Sequence, residues 1–414
     1  MEICVRYYQF FEENQSFIPQ VLEAFVRILH IDVLRVRTRS WYLFQRFVKP
    51  LRNYLGEVSQ TVMQAIGDLL KIEAELPRNE DDEDEMDSDD KGNSADALFN
   101  SQLYLFEAVG CLSSAPSVPP EQKVLYAQSI LSPIFADMEQ HLGSAKGGDE
   151  RSILQLHHDI QAIGTLARGF CDWMPGGTSA PHPPPSEVGQ EFTRAAEAIL
   201  VALEALKSSV QIRNAARFAL SRMLGVVDAR VLQQLPRWID GLLSDTTSND
   251  EMATFLRLLG QLVFAFKKEV GSILDSILAP MLQRVFAGLA APTSGTDDEI
   301  QQQELKREFL NFILVVLNQD LAPVLVSSTN QSTFDTIINV VSHYASDGSD
   351  LGTARLALGV CTRMTAVWGG PDVALPSVPG TTRPDATANG APTDPQPVFG
   401  GFDTFAVTRF SPLC

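Results

Sequence analysis

Between Arg27 and Arg52 the chain carries seven Lys or Arg residues and a single acid, Asp32. Cations at this density can hold phosphates or carboxylates, but they supply neither a nucleophile nor a general base. On an ideal helix, at about 100° per residue, the stretch Val33 to Lys49 separates into two faces. Val36, Ser40, Leu43, Phe44 and Phe47 share one side, and Arg35, Arg39, Tyr42, Arg46 and Lys49 share the other. One side packs and the other offers charge. A solvated helix face is the plain alternative for any such stripe. A second set lies on Ser209 to Gly225, where Arg213 and Arg217 stand one turn apart, followed by Arg222, Arg230 and Arg237 with only Asp228 opposing them. Arginines there can satisfy carbonyls and bridge neighbouring repeats, or hold phosphates; the residues leave both readings open. Against RNA, each would hold a backbone phosphate rather than read a base, because an A-form duplex hides its major groove.

Other chemistry finds no constellation. Asp87 to Gly92 begins like a calcium-binding loop, but Lys91 falls at its fifth position and Leu98 at its twelfth, where a bidentate carboxylate is needed. His157 and His158 are adjacent, so a helix points them about 100° apart, and they read as solvated side chains rather than metal ligands. Phosphate-loop, dinucleotide and nucleophile-elbow motifs are missing, as are strands to carry them. No catalytic, cofactor-binding or metal-binding residues are therefore assigned, no small-molecule substrate is expected, and the chain does not read as an enzyme.

The elements that must position the cations are helices. Apolar residues recur at three and four along nearly the whole chain, with almost no period-two alternation. Helical segments are expected over 2–11, 15–29, 33–49, 51–72, 97–113, 120–142, 151–174, 188–206, 209–225, 229–243, 249–268, 270–289, 299–317, 332–344 and 351–368. Pro50 is expected at a boundary, and GSAKGGD after Leu142 as a break. First helices of about seven successive pairs begin near residues 15, 51, 119, 188, 229, 270 and 329. The shorter intervals approach the roughly 40 to 47 residues of armadillo and HEAT units. Such pairs cannot bury their own apolar sides, so they stack into a superhelix with a concave inner surface. By analogy the second helix of each pair lines that surface, and Val33 to Lys49 is a second helix.

The expected fold is thus all-α, a HEAT-repeat solenoid over 1–369. Two loops interrupt it, an acidic one at 77–96 and a Pro-rich one at 175–187; a linker follows over 370–400, and the start of a further truncated repeat over 401–414. Nine carboxylates in the eleven residues Glu80 to Asp90 repel one another. Half a pair at either end reads as a piece cut from a longer solenoid.

Composition agrees with a folded chain, at 45% hydrophobic and 20% charged residues. A net charge of −19 argues against general polyanion binding, so any nucleic-acid contact must be local. Cys4, Cys111, Cys171, Cys361 and Cys414 are scattered without CxxC spacing and read as buried thiols in a reducing compartment. Met1 leads into EICVRYYQFFEE rather than a signal peptide, and no apolar run is expected to span a membrane. Two NQS tripeptides, at Asn14 and Asn330, carry meaning only in a secreted chain.

The opening VRYYQFF, the block RVRTRSWYLFQRFVKPL, IGDLL at Ile66 and the later RMTAVWGG together resemble the middle-to-late repeats of the exportin-T family of karyopherin-β receptors. The seventeen-residue block is specific, because basic, aromatic and apolar positions all agree, whereas Ser114 to Ser244 is matched mainly by helix order. The acidic and PHPPPS loops depart from the pattern. The resemblance implies a HEAT solenoid that wraps mature tRNA together with RanGTP, meets nuclear pore proteins and shuttles between nucleus and cytoplasm. It also places the Ran-binding repeats upstream of Met1. Candidate tRNA contacts are Arg35, Arg39, Arg46, Lys49, Arg213 and Arg217. The competing reading is a HEAT scaffold for protein partners, with nucleic-acid contacts only in repeats outside this chain.

Overall fold

The computed structural model describes residues 1–76, 95–171, 173, 183–244, 247–369 and 402–410. The acidic stretch Glu80 to Asp90, most of the Pro-rich loop and the expected linker 370–400 lie outside the described residues. Every regular element described is helical, and the chain forms two compact units, Met1–Thr246 and Thr247–Cys414.

The first unit contains α1 (Glu2–Arg6), α2 (Tyr8–Glu13), α3 (Ile18–Leu29), α4 (Leu34–Leu51), α5 (Gly56–Ala65), α6 (Ala95–Ser113), α7 (Pro120–Lys146), α8 (Glu150–Phe170), α9 (Ser186–Ala205), α10 (Val210–Val227) and α11 (Val231–Leu242). Consecutive helices pack on one another, so α3 pairs with α4, α5 with α6, α7 with α8 and α9 with α10. Start signals sit where the helices begin: Asp149 accepts from the Ser152 amide at 3.0 Å, Ser209 from the Ile212 amide, and Pro120 opens α7.

Several boundaries differ from expectation, and α8 ends at Phe170 rather than running to 174. Pro50 lies inside the last turn of α4, where it forfeits a single backbone bond next to carbonyls that end unpaired anyway. The expected helix 51–72 is broken, with 3-10 turns at Arg52–Tyr54 and Gly67–Leu70 flanking a short α5. In the other direction α7 continues through Gly143 to Lys146 and stops only at Gly147, before Gly148 at φ +90°.

The pairs stack in two layers. α3 lies against α5, α7 against α9 and α9 against α11; in the other layer α4 lies against α6, α6 against α8 and α8 against α10. The second layer is drawn close by small residues. A Cβ on Gly169 would stand 2.3 Å from the Glu107 carbonyl and 2.7 Å from Gly110 Cα, and one on Gly164 would stand 2.6 Å from Ala219 Cα. These helices meet backbone to backbone.

Helix α8, between α6 and α10, is consequently buried along most of its length, which overturns the reading of both adjacent histidines as solvated. His158 is 2% exposed and its ring stacks on Phe99 with centroids 3.7 Å apart; His157 is half-buried beside it. Burial, with His157 adding, pushes the His158 pKa down to about 4. Its neighbour Asp159 is fully buried, and burial together with Asp137 pushes its carboxyl well above the usual range.

In the second unit, α12 (Asn249–Phe266), α14 (Thr296–Asn318) and α17 (Leu351–Trp368) form one row. Against it lie α13 (Gly271–Ala290), the short α15 (Ala322–Leu325) and α16 (Gln331–Ala345), and α18 (Phe402–Arg409) follows in sequence. A capping box of Ser248 and Glu251 starts α12, and Asp350 caps α17. Trp368 is buried against Phe334 at 5.5 Å. The stretch Asn249–Ala290 is, by length and composition, apolar enough to cross a membrane, contrary to the sequence expectation. It is two helices, however, parted by the turn Lys267–Val270, whose Lys267, Lys268 and Glu269 put charge at its middle. Asn330 of the second NQS is fully buried and donates from Nδ2 to the Asp275 carbonyl at 3.0 Å. Cys111, Cys171 and Cys361 are buried, as expected, whereas Cys4 is only half-buried.

Gly169→Ala should destabilise the first unit by about 1–3 kcal/mol, because its Cβ meets fixed backbone. Gly143→Ala, exposed in the last turn of α7 with nothing near it, should stabilise by about 0.4–1 kcal/mol; denaturant midpoints compare the two. For His158, a folded pKa near 4 lies below the unfolded value of 6.5, so its contribution is complete above pH 6.5 and lost as pH falls towards 4, by up to about 3 kcal/mol. Asp159 acts with the opposite sign, since its folded pKa is raised. Stability of His158→Gln measured across that window should therefore fall less on acidification than the parent's.

Candidate nucleic-acid interface

Helix α4 is fixed through its apolar side. Phe44, Phe47, Val48 and Leu51 are completely buried, and Phe47 meets Phe11 of α2 at 5.2 Å and Phe25 of α3 at 5.0 Å. Trp41 is buried and donates from Nε1 to the Leu29 carbonyl at 3.2 Å. The packed side is wider than the wheel suggested, since it also takes in Trp41, Gln45 and Val48. Val36, placed on it by spacing, is 41% exposed.

This anchoring turns the cations outward together. Arg35, Arg39 and Arg46 are exposed, and Lys49 and Tyr42 are half-buried. Asp32 is neutralised by Arg37 at 2.5 Å, which removes the one acid of the run from the stripe. Arg39 pairs with Glu2 at 2.9 Å and lies 5.2 Å over the Tyr42 ring, which meets Tyr104 of α6 edge-on at 5.1 Å. Lys49 reaches Glu107 of α6 at 2.8 Å. Arg46 has no ion-pair partner among the described residues. Arg39, Tyr42, Arg46 and Lys49 line one side of an open groove; Glu2, Arg6 and Tyr8 line the other. Sequence reasoning missed Arg6 and Tyr8. They are separated from α4 by a whole helix in the chain, and only the return of α1 and α2 against α4 unites them.

The second set separates in space. Arg213 is fully buried and donates from Nη1 to the Lys207 carbonyl at 2.7 Å. Arg217 is 3% exposed and donates to Asn214 Oδ1. Both therefore do what arginines do inside helix repeats, satisfying polar groups near helix ends. Arg237 lies in the other layer, forked onto Glu204 and bonded to Glu197 of α9, and those carboxylates raise its pKa. Arg222 faces outward on α10 with its guanidinium 4.0 Å over the Phe218 ring. Burial lowers its pKa, Glu107 opposes that shift and Arg168 adds to it. Neighbours in sequence thus take three different roles. Among the described residues no group of three His, Cys, Asp or Glu side chains converges as metal ligands.

Arg213→Ala should cost about 2–4 kcal/mol, by leaving a void and an unpaired carbonyl. Arg46→Ala should stay within about 0.5 kcal/mol of the parent; thermal unfolding followed by helical circular dichroism distinguishes them.

The family model of Exportin-T matches residues 1–414. The Exportin-T of Emericella nidulans is 57% identical over the whole chain, as is that of Phaeosphaeria nodorum, and that of Aspergillus niger is 55% identical. The chain spans 39% of the length of each of these relatives. A solved structure described as "Kap95p Binding Induces the Switch Loops of RanGDP to adopt the GTP-bound Conformation" aligns at TM-score 0.49 and 14% identity, over 85% of this chain and 38% of that one. The match along its full length shows that this chain belongs to the exportin-T family.

Proposed function

We propose that this chain is part of a nuclear export receptor that carries mature tRNA, and that the α4 stripe holds tRNA backbone phosphates. The observation that carries the reading is the alignment of exposed Arg35, Arg39 and Arg46 with half-buried Lys49 along one side of a helix whose other side is locked in the core. Fixed cations on a rigid helix recognise the shape of a folded polyanion at no ordering cost to the backbone. Close backbone approach at Gly110, Gly169 and Gly164 supports an inward-facing stripe, since a two-layer stack bends towards the layer whose helices are closer. The chain's excess of acids confines RNA to this strip. Burial gives Arg213 and Arg217 of α10 a supporting role inside their own repeat. On this reading tRNA binding is cooperative with RanGTP, which is held mainly by repeats outside this chain. The whole receptor meets nuclear pore proteins, shuttles between nucleus and cytoplasm, and catalyses nothing.

Glu2 on Arg39 and Glu107 on Lys49 favour one alternative, because carboxylates already occupy two of these cations. The scaffold reading places an acidic peptide of a protein partner there. Replacing Arg35, Arg39, Arg46 and Lys49 by Glu should abolish tRNA binding at moderate salt, and the parent's affinity should fall steeply with salt, by a slope of about 0.7–0.9 per phosphate held. Fluorescence anisotropy with labelled tRNA measures both. Unchanged binding by the quadruple variant, or displacement of tRNA by an acidic peptide at equal charge concentration, removes the stripe's proposed role.

A further inference from the structure

One level of the second layer brings together charges that no motif announces. Lys49 of α4 reaches Glu107 of α6. Gly169 of α8 abuts the Glu107 carbonyl, which sets its neighbour Arg168 beside that residue. The same small-residue contacts fix α8 against α10. Gly164 meets Ala219, and Cys171 Sγ would stand 3.0 Å from a Cβ on Gly225, so the two helices run in parallel register. Arg168 follows Gly164 by one turn, and Arg222 follows Ala219 by just under one. The register therefore places Arg168 and Arg222 at one height on adjacent helices, level with Lys49 and Glu107.

Both arginines are half-buried and neither has an ion-pair partner among the described residues. Arg168 Nη1 is buried without an acceptor there, and Arg222 rests on the Phe218 ring. Lys49 holds Glu107, and the charges of Glu107 and Arg168 both reach Arg222, so three cations share this carboxylate, an excess of two positive charges. Half-buried guanidinium groups without acceptors are costly as they stand, and an incoming oxyanion relieves both the repulsion and the unmet donors. The nearest alternative for such donors, a structural carbonyl, is what Arg213 has and Arg168 Nη1 lacks.

We infer that Arg168 and Arg222, with Lys49 across Glu107, form a notch that binds one phosphate group, supplied by the backbone of the bound RNA. The inference rests on the tRNA reading above for its occupant and on geometry alone for its chemistry. Glu107 is a placeholder: it holds Lys49 while the notch is empty and opposes the ligand's charge when it is filled.

The two sources of phosphate are tested separately on the 414-residue chain. Labelled tRNA should bind R168Q/R222Q about tenfold or more weakly, with the salt slope lower by about one to two. Binding to Glu107→Gln should instead tighten several-fold, a direction that a merely structural role for Glu107 does not give. Millimolar inorganic phosphate should raise the unfolding midpoint of the parent above that in matched chloride, and should lose this effect in R168Q/R222Q. Should that double variant fail to fold, Glu107→Gln decides, since it replaces a carboxylate by an amide of the same shape. Unchanged tRNA affinity and slope in the folded double variant, or weaker binding by Glu107→Gln, overturns the notch. Loss of binding by the α4 charge reversal in the same series leaves the tRNA reading standing. A parent that responds to inorganic phosphate but binds no tRNA at low salt overturns the occupant and the tRNA reading together, and leaves a phosphate site.

Discussion

Everything in the first unit depends on how closely the second-layer helices approach. Gly110, Gly164 and Gly169 let α6, α8 and α10 touch through their backbones, where any larger residue would hold them apart. That contact buries α8 so thoroughly that its polar residues must adapt, with His158 stacked and neutral on Phe99 and Asp159 driven towards its protonated form. It also fixes which residues of successive helices stand at the same height. A site assembled from single side chains on four helices needs that register, because no one helix contributes more than one of them.

Charge is distributed by the same packing. In a chain of net charge −19 several arginines are answered by carboxylates in a neighbouring helix. Arg237 clamps α11 to α9 through Glu197 and Glu204, and Arg257 joins α12 to α14 through Glu304 and Glu308. Such exposed pairs add little stability singly, but they set the register between repeats. Arg213 and Arg217 are enclosed and serve backbone and side-chain acceptors of their own repeat. Arg46, Arg168 and Arg222, on α4, α8 and α10 of one layer, have no ion-pair partner among the described residues. On the proposed reading a polyanion meets the first unit at these cations.

The sequence was a good guide to elements and a poor one to company. Leu351–Trp368 begins and ends where its apolar period does, and Asp149, Ser209 and Pro120 mark helix starts that local chemistry dictates. Misreadings fell where tertiary contact overrides local preference. Pro50 reads as a stop, yet a last-turn proline loses only one bond; Gly143 reads as a break, yet α7 continues through it to Lys146. The paired histidines looked solvated because adjacency says nothing about whether a helix is outermost or enclosed on both flanks.

By itself the sequence determined that this chain is helical, that its helices come in stacked pairs, and that Val33 to Lys49 has one packing side and one cationic side. Those follow from periodicity, because an apolar face must be buried wherever the helix ends up. Only the tertiary structure decided which arginines meet solvent, and so separated Arg213 from Arg39, and brought Arg6, Arg168 and Arg222 into consideration. Burial and juxtaposition depend on which helices become neighbours across the stack, and that is a property of contacts between residues far apart in the chain, which no local spacing encodes.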